Sequence, residues 1–466
     1  MSGLFGSLSI ALSGLSVSQQ EMATTSNNVA NANTPGYTRE VTDTAAGQAI
    51  TEGSLQLGTG VVLEKIESLR DPILQIQINN ATQQNSSLNT ALTQLQQLQT
   101  QFASSTSGIG ADISNFFNAL QQLSPDPTDQ TLRQSVLTAA STLATDFNTA
   151  AGSLQTQSSN IDQNVVASVA QINSLTSQIA SVDQQISDLQ GASAGSAGGS
   201  GDNTLVDTQN NLIQQLSALV DVQVIPTGQG ITVATSNGTA LVSGSQSFTL
   251  TTQVGSNGVQ HIFAGALDIT GTLTGGSVAG LIQIRDQEIP SITTSLNQLA
   301  SGLANGLNAA NALGFDLNGN AGGNIFTPPP ASGVGAAATL TVSMTDPSLI
   351  AASSDGTAGS NGNLANLAAV ATTALATGQT PINSYANLVS QVGSATETAS
   401  ADADSSNLIL QQLQDENGSV SGVSLDEEAA NLIQYQTAYQ SAAKVVSTIN
   451  LLLLDAVNLG LDAAEE

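Results

Sequence analysis

Near its start the chain reads LFGSLSIALSGLSVSQQEMATTSNNVANAN, at residues 4–33, and near its end it reads LDEEAANLIQYQTAYQSAAKVVSTINLLLLDAVNLG, at residues 425–460. In both segments apolar or small side chains recur at alternating intervals of four and three residues, the heptad spacing of a helix with a narrow apolar seam. The predicted seam consists of Leu4, Leu8, Leu15, Met22 and Val29 in the first segment and Leu425, Leu432, Tyr439, Val446 and Leu453 in the second. Between them lie Ala11, Ser18 and Thr25, and Ala429, Gln436, Ala443, Asn450 and Val457.

A helix with a seam of this kind needs a partner to cover it. Two such helices at opposite ends of one chain can pair with each other or with the ends of neighbouring copies, which indicates assembly. The same stripes also fit the core faces of an ordinary helical bundle, and periodicity alone leaves both interpretations open.

The composition excludes several classes of function. The 466 residues contain 6 Lys and Arg against 35 Asp and Glu, which gives a formal net charge of −29. A protein surface that binds nucleic acid or an anionic membrane requires clustered basic residues, so we expect neither as a partner. The chain has no cysteine, which excludes disulfides, thiolate metal sites and cysteine nucleophiles.

No feature of the sequence predicts a cleaved secretory signal or a membrane span. The first basic residue is Arg39, so the basic region of a secretory signal is missing. The run Leu451 to Leu454 lies between Asn450 and Asp455 and is too short to cross a bilayer. If the protein leaves the cytoplasm, we expect a route without a cleaved signal.

A sharp turn is predicted after the first helix, at Asn33, Thr34, Pro35, Gly36 and Tyr37. Pro35 followed by Gly36 suits the two central positions of a type II turn, the second of which needs φ > 0. At the other end, Ser424 and Glu427 fit a capping box that opens the last helix, with acidic residues at the positive end of its dipole.

We predict a mainly α fold with an inserted small antiparallel β domain, a long helical bundle or coiled coil, and paired N- and C-terminal helices. The predicted segments are an axial helix at 1–33, an extended or hairpin linker at 34–72, the first part of a helical bundle at 73–221, a β domain at 222–279, a bundle helix at 280–313, an irregular Gly/Ala/Pro-rich region at 314–382, a bundle helix at 383–417 and an axial helix at 424–461. Within the bundle, the stripe from Ile161 to Leu189 predicts a helix of about 36 residues, followed by a linker at 191–201.

Two stretches carry a family resemblance. Residues 26–39, SNNVANANTPGYTR, closely resemble the N-terminal signature of bacterial flagellar rod, hook and hook-associated proteins, and residues 422–436, GVSLDEEAANLIQYQ, resemble the C-terminal motif of that group. Within the group the chain most resembles the family that joins the hook to the filament, through LVDTQNNL at 205–212 and GFDLNGN at 314–320.

The resemblance implies a structural, non-enzymatic subunit of the extracellular flagellum. In such proteins the terminal helices form a coiled-coil inner tube, the helical domain packs around it and the β domain faces outward. Implied partners are copies of the chain in a ring, the hook protein, the next hook-associated or filament-side protein and a cytoplasmic export chaperone. Export is implied to use the flagellar type III apparatus, without a cleaved signal. We expect the protein to bind no cofactor.

Three candidate sites have simpler explanations. His261, the only histidine, sits in an alternating strand pattern and is expected to be a solvent-side strand residue, although any Ser-His-Asp site must use it. The Asp316 loop loosely resembles a calcium loop but has Thr327 at the twelfth position, where an acid belongs. The carboxylates at 426–428 are explained by helix capping rather than by glycosidase chemistry.

We therefore predict no catalytic, cofactor-binding or metal-binding residue. Three other functions stay open as alternatives: a hook or distal-rod protein, a wall-cutting enzyme on an axial scaffold, and a secreted coiled-coil adhesin. Hook and rod proteins resemble this chain at both ends but have more β structure directly after the first helix, whereas residues 73–190 here have mainly helical periodicity.

Overall fold

The computed structural model describes residues 2–52, 55–102, 108–192, 200–227 and 230–462. It is mainly α-helical with small antiparallel sheets, which confirms the predicted fold class. The helices are α1 (Ser2–Asn31), α2 (Pro72–Phe102), α3 (Ile109–Leu123), α4 (Gln130–Ala192), α5 (Ser200–Leu219), α6 (Gly276–Gln283), α7 (Ile289–Ala312), α8 (Leu364–Ala369), α9 (Pro381–Ser421) and α10 (Leu425–Asp462). A π-helical turn at Ile284–Glu288 joins α6 to α7.

The strands lie in two parts of the chain. The first group is β1 (Glu40–Ala46), β2 (Ile50–Glu52), β3 (Leu55–Leu57) and β4 (Val61–Ser68), and the second is β5 (Gln223–Thr227), β6 (Gly230–Ala234), β7 (Ala240–Ser243), β8 (Gln246–Ser247), β9 (Leu250–Val254), β10 (Gln260–Ala264) and β11 (Leu267–Asp268). β1 pairs antiparallel with β4, and β2 with β3. The second group forms two sheets, one of β5-β6-β7-β8 and one of β9-β10-β11.

The chain divides into two compact units. The first comprises Met1–Gln83, Gln171–Leu250 and Leu408–Glu466. Here α1 packs along α10 and against β1 and β4, and α5 contacts β4. The sheet β5-β6-β7-β8 belongs to this unit and buries Val233, Leu241 and Val242 completely.

The second unit comprises Gln84–Ala170 and Thr251–Asn407. Its core contains an aromatic cluster in which the Phe116 ring lies 5.4 Å from that of Phe117 and 6.2 Å from that of Phe326. α8 packs against α3 and α7. The unit boundary near residue 250 separates the two sheets of the segment predicted as one β domain at 222–279.

Asparagine side chains on α7 hold the segment predicted to be irregular. Asn308 accepts hydrogen bonds from the backbone N–H groups of Ile325 and Phe326, both at 2.9 Å, and donates to the Phe326 carbonyl at 2.9 Å. Asn311 donates to the Gly323 carbonyl at 2.7 Å and accepts from the Ala351 N–H at 3.0 Å. A short helix, α8, interrupts the region 314–382, for which the sequence pattern predicts none.

The predicted helix of about 36 residues is too short, because α4 has 63 residues. Its first part buries Val136, Ala140, Leu143, Phe147 and Leu154 at helical spacing. Alanine and threonine separate these residues, so the stripe is weaker in sequence than the run from Ile161 to Leu189. Of the predicted linker at 191–201, residues 193–199 lie outside the described residues.

Candidate functional site: the pairing of the terminal helices

The Asn28–Glu428 hydrogen bond and the effect of the Glu21 charge on Tyr435 indicate that α1 and α10 run antiparallel. The Asn28 amide of α1 donates to Glu428 at the start of α10, at 3.2 Å. One heptad earlier on α1 and one heptad later on α10, Glu21 lies near Tyr435, whose pKa is raised by burial and then by the carboxylates of Glu21 and Glu428. Advancing along one helix therefore means retreating along the other.

On α1, most of the predicted seam faces covered surface. Leu4, Leu8, Leu15 and Met22 are half-buried, and Ala11, Ser18 and Thr25 between them are buried. Val29 is the exception, since it is 43% exposed. Asn28 lies on the covered face instead, with 1% exposure. Its side chain is buried because it hydrogen-bonds to Glu40 and Glu428.

On α10 the predicted seam consists of two lines of residues. The first is Leu425, Leu432, Tyr439, Val446 and Leu453, and the second is Ala429, Gln436, Ala443, Asn450 and Val457. Only the first line lies mostly on the covered face. Leu432, Tyr439, Val446 and Leu453 are half-buried, but Leu425 is 54% exposed. The second line on the covered face runs through Glu428, Tyr435, Ala442, Ile449 and Ala456, which are buried or half-buried. Of the predicted second line, Ala429, Gln436, Asn450 and Val457 are exposed and Ala443 is half-buried, so that line lies one residue away from the covered face. Because Glu428 and Tyr435 are polar, the periodicity of apolar residues does not identify them as part of the covered face.

The buried amide of Asn28 is saturated with hydrogen bonds. Its Nδ2 donates to the Glu40 carbonyl at 2.8 Å as well as to Glu428. Its Oδ1 accepts from the Glu40 backbone N–H at 2.9 Å and from the Tyr37 hydroxyl at 2.8 Å. A side-chain amide has two donors and two acceptor lone pairs, so this one side chain joins α1, the turn, β1 and α10 without leaving a polar group unsatisfied.

Arg39 supplies the counter-charge for two carboxylates of α10. Its Nε donates to Glu428 Oε1 at 2.7 Å, and its Nη atoms lie 3.1 Å from the carboxylate oxygens of Glu427. Burial lowers the pKa of Arg39, but hydrogen bonds and charges from Glu427 and Glu428 outweigh it and raise the pKa above its usual value. Glu428 is only 1% exposed, and a carboxylate at that depth requires this pairing.

These contacts change the interpretation of the predicted capping box. Ser424 Oγ lies 3.5 Å from the Glu427 N–H, a long cap. Glu427 turns to Arg39 instead of back to Ser424. Capping alone was predicted for Glu427 and Glu428, and their pairing with Arg39 was not. The sequence does contain a signal for this pairing. Arg39 is the only basic residue of the N-terminal signature, and the C-terminal motif has three adjacent acidic residues at 426–428.

The signature turn has the predicted geometry. The Tyr37 N–H donates to the Thr34 carbonyl at 3.1 Å, and Gly36 has φ 78°, as the second central position of a type II turn requires. Asn33, Thr34 and Pro35 are exposed, whereas the Tyr37 ring is half-buried. Burial and the charges of Glu40, Asp207 and Glu428 raise the pKa of Tyr37, so its phenol stays protonated and donates to Asn28.

Asp207 of α5 fastens the chain directly after the turn. Its carboxylate accepts from the Thr38 N–H at 2.9 Å and from the Thr38 hydroxyl at 2.6 Å. Arg70 donates to the same carboxylate at 2.9 Å. Asp207 belongs to the stretch at 205–212 that carries part of the resemblance, but no contact was predicted for its side chain.

The alternative sites gain no support. His261 Nδ1 lies 2.7 Å from Asp268 Oδ2, but its Nε2 faces Asn257 Oδ1 at 3.2 Å, and no hydroxyl among the described residues hydrogen-bonds to the ring. Asp316 accepts from the N–H groups of Asn318 and Asn320 at 2.8 and 2.9 Å, which is a closed turn. Within the described ranges, no group of three or more acidic or histidine side chains is placed to hold a metal ion.

No helix among the described residues combines the length and the apolar character that crossing a membrane requires.

The matches to known families cover both ends and the middle of the chain. Residues 8–38 match the family described as "Flagella basal body rod protein", and residues 417–459 match "Flagellar basal body rod FlgEFG protein C-terminal". Residues 95–326 match "Flagellar hook-associated protein FlgK helical domain".

Relatives align over nearly the whole chain. "Flagellar hook-associated protein 1" of Bacillus subtilis (strain 168) is 29% identical over 513 residues, which cover 98% of this chain and 99% of the relative. The protein of the same name in Escherichia coli (strain K12) is 26% identical over 543 residues, covering 96% and 98%. A solved structure, that of the flagellar hook junction protein FlgK from Burkholderia pseudomallei, shares the fold with a TM-score of 0.66 at 20% identity, over 74% of this chain and 100% of that chain.

Proposed function

This chain belongs to the flagellar hook-associated protein 1 family, and on that premise we propose that it is a structural subunit of the bacterial flagellum that joins the hook to the filament. It assembles through its terminal helices into a ring, with the hook protein on one side and the next hook-associated or filament-side protein on the other. Its function is geometric rather than catalytic, and it needs no cofactor, nucleic acid or membrane.

The observation that carries this proposal is the exposed apolar surface at the end of α10. Leu451, Leu452, Leu454 and Val457 are between 50% and 62% exposed, while Leu453 beside them is half-buried. A helix that is apolar on all sides is normally buried on all sides, and α1 covers one side only. On α1, Phe5, Ile10 and Leu12 are likewise 43% to 56% exposed. Surfaces of this kind mark protein interfaces.

The polar network around Asn28 and Arg39 gives this surface a defined geometry. It ties the C-terminal end of α1 to the N-terminal end of α10, where the apolar seam itself is interrupted. Because a heptad seam alone allows a slip along the helix axis, a buried polar contact is an effective way to set register. The network therefore supports a pair of helices that presents its outer faces in one arrangement.

Export also follows from the proposal. A subunit of the extracellular flagellum has to leave the cell, and we propose that it does so through the flagellar type III apparatus without a cleaved signal. A cytoplasmic export chaperone would cover the exposed apolar side chains of the terminal helices until assembly, because uncovered patches of this kind promote aggregation.

Complementation of a deletion strain tests the function. Without the protein, filament subunits should be released into the medium and should not polymerise on the hook, and the wild-type chain should restore filaments. Leu453→Asp should fail to restore them, because a carboxylate in the water-excluding seam costs several kcal/mol. Leu408→Asp is the matched control, since Leu408 is 68% exposed on α9, and it should restore filaments. Normal swimming with Leu453→Asp would refute the role of α10 in assembly.

A further inference from the structure

Five of the six basic residues are accounted for within the chain. The pairs are Arg39 with Glu427 and Glu428, Lys65 with Glu67, Arg70 with Asp207, and Arg285 with Asp162 and Asp286, while Arg133 donates to the carbonyls of Pro127, Pro347, Ser348 and Ile350. Lys444 differs from them, because its amine makes no ion pair or hydrogen bond with any described residue. In a chain of net charge −29, an unpaired cation is an exception that calls for a reason.

Lys444 and Asp455 are the only charged residues between positions 429 and 458 of α10, and both are exposed. Residues three and four positions away from each are uncharged, so neither can pair along its own helix. Asp455, too, makes no ion pair with any described residue. On the covering helix α1, the one charged side chain is Glu21, which lies beside Tyr435.

The two charges share one face of α10. Asp455 follows Lys444 by 11 positions, which is close to three helical turns and about 16 Å. Both positions project away from the line of Ala442, Val446 and Ile449 that α1 covers. The exposed Leu451 and Leu454 lie between them on this outer side. Assembly would therefore bury both charges in apolar surroundings, where an unpaired charge is strongly unfavourable.

We propose that Lys444 of one copy pairs with Asp455 of a neighbouring copy, so that this ion pair sets the axial stagger between adjacent α10 helices. The inference rests on the proposed function. Neighbouring copies related by a rotation about the assembly axis and a shift along it place their α10 helices side by side, in the same direction and at different heights. A stagger of about three turns then brings the lysine of one against the carboxylate of the next. The four-carbon stem of lysine spans the apolar surface between the helices.

A second copy is the occupant that the charges favour. The outer face of α10 carries one positive and one negative group at a fixed spacing, so two parallel copies displaced by that spacing bring opposite charges to the same level.

Charge reversal with rescue tests the pairing in the deletion strain. Lys444→Glu and Asp455→Lys each place like charges at the contact, and we expect each to reduce the number of filaments per cell about tenfold or more. The double variant restores opposite charges and should recover most filaments. Lys65→Glu is the control, since Lys65 pairs with Glu67 within its own chain, and it should leave filament numbers unchanged.

The outcomes separate this inference from the proposed function. All changed side chains are exposed, so the purified variants should melt at the wild-type temperature. Single reversals without effect, or a double variant no better than the singles, would overturn the pairing even if Leu453→Asp abolishes filaments. If Leu453→Asp itself assembles normally, the proposed function fails first. Zero-length carbodiimide coupling of isolated flagella should join Lys444 to Asp455, and coupling of Lys444 to any other carboxylate would also overturn the assignment.

Discussion

The pair formed by α1 and α10 is regular in structure but leaves many large apolar side chains exposed, whereas residues 314–363 have almost no regular structure but bury several apolar side chains completely. In the helix pair, large apolar side chains such as Leu451 and Leu454 remain more than half exposed. In the irregular segment, Ile325, Ala337 and Ile350 are completely buried. Regular secondary structure and complete burial of apolar side chains are therefore separate properties in this chain, and the helix pair is the region whose exposed apolar surface we propose to be covered by neighbouring copies.

The two regions also use buried polar groups differently. In the helix pair, charged groups from distant parts of the chain meet, with Arg39 between Glu427 and Glu428. In the irregular segment, neutral asparagine amides replace the backbone partners that a sheet would provide. The first arrangement specifies which helices pair, and the second lets a loop be buried without unsatisfied backbone groups.

The largest effect is expected from Asn308→Leu. It removes the partners of two buried N–H groups and one carbonyl at once, and each unsatisfied group costs about 1–3 kcal/mol. We expect the unit that contains α7 to melt well below the wild-type temperature or to fail to fold, as measured by calorimetry of the purified chain. Asn305→Leu on the same helix is the control, since Asn305 is exposed. Equal melting of both variants would show that the amide is not what holds the segment.

Arg39→Met tests the other side of the comparison. It leaves the Glu428 carboxylate buried without its counter-charge, which costs about 3–5 kcal/mol, but only the terminal pair should open. Hydrogen exchange should show lost protection in α1 and α10 and unchanged protection in α7. Adding Glu428→Gln should return much of the protection because the buried charge is then gone. Lys65→Met, at an exposed pair, should have little effect.

A pH dependence is expected in the second unit, at Asp112 of α3. Burial, and then the neighbouring carboxylate of Asp146, raise the pKa of Asp112 from 3.8 to about 6. The folded state thus binds the proton more tightly than the unfolded chain, so the stabilisation is complete below about pH 4 and is lost as the pH rises through about 6.

Asp112→Asn mimics the protonated acid at every pH. After allowance for solvent screening, we expect it to raise the melting temperature by about 3 °C at pH 8 and to leave it unchanged at pH 4. The exposed Asp404→Asn serves as the reference. An equal shift at both pH values would assign the effect to packing instead of to the proton.

The smallest effect is expected from Gly36→Ala in the signature turn. Its φ of 78° disfavours a side chain there, and so does the 3.2 Å distance at which an added Cβ would approach Asn211 Nδ2. The cost should be about 1 kcal/mol, visible as increased exchange at the start of β1. Gly58→Ala, where an added Cβ meets nothing within 4 Å, should be neutral. No difference between the two would argue against strain at Gly36.

Several features of the site follow from local sequence. The heptad spacing located both terminal helices and one line of the α10 stripe, and Pro35 followed by Gly36 predicted the turn with its positive φ. These features depend on residues that are close in sequence, where side-chain periodicity and backbone sterics act without help from the rest of the chain.

By itself, the sequence determined the helical ends, the turn, the exclusion of basic-groove functions and the family resemblance. Only the tertiary structure decided that Glu428 and Tyr435 replace Ala429 and Gln436 on the covered face, that Leu425 and Val29 stay exposed, and that α7 secures the irregular segment. The physical reason is that the burial of a polar side chain depends on whether a partner reaches it. For Glu428 that partner is Arg39, at the opposite end of the sequence, and only folding brings the two within 2.7 Å.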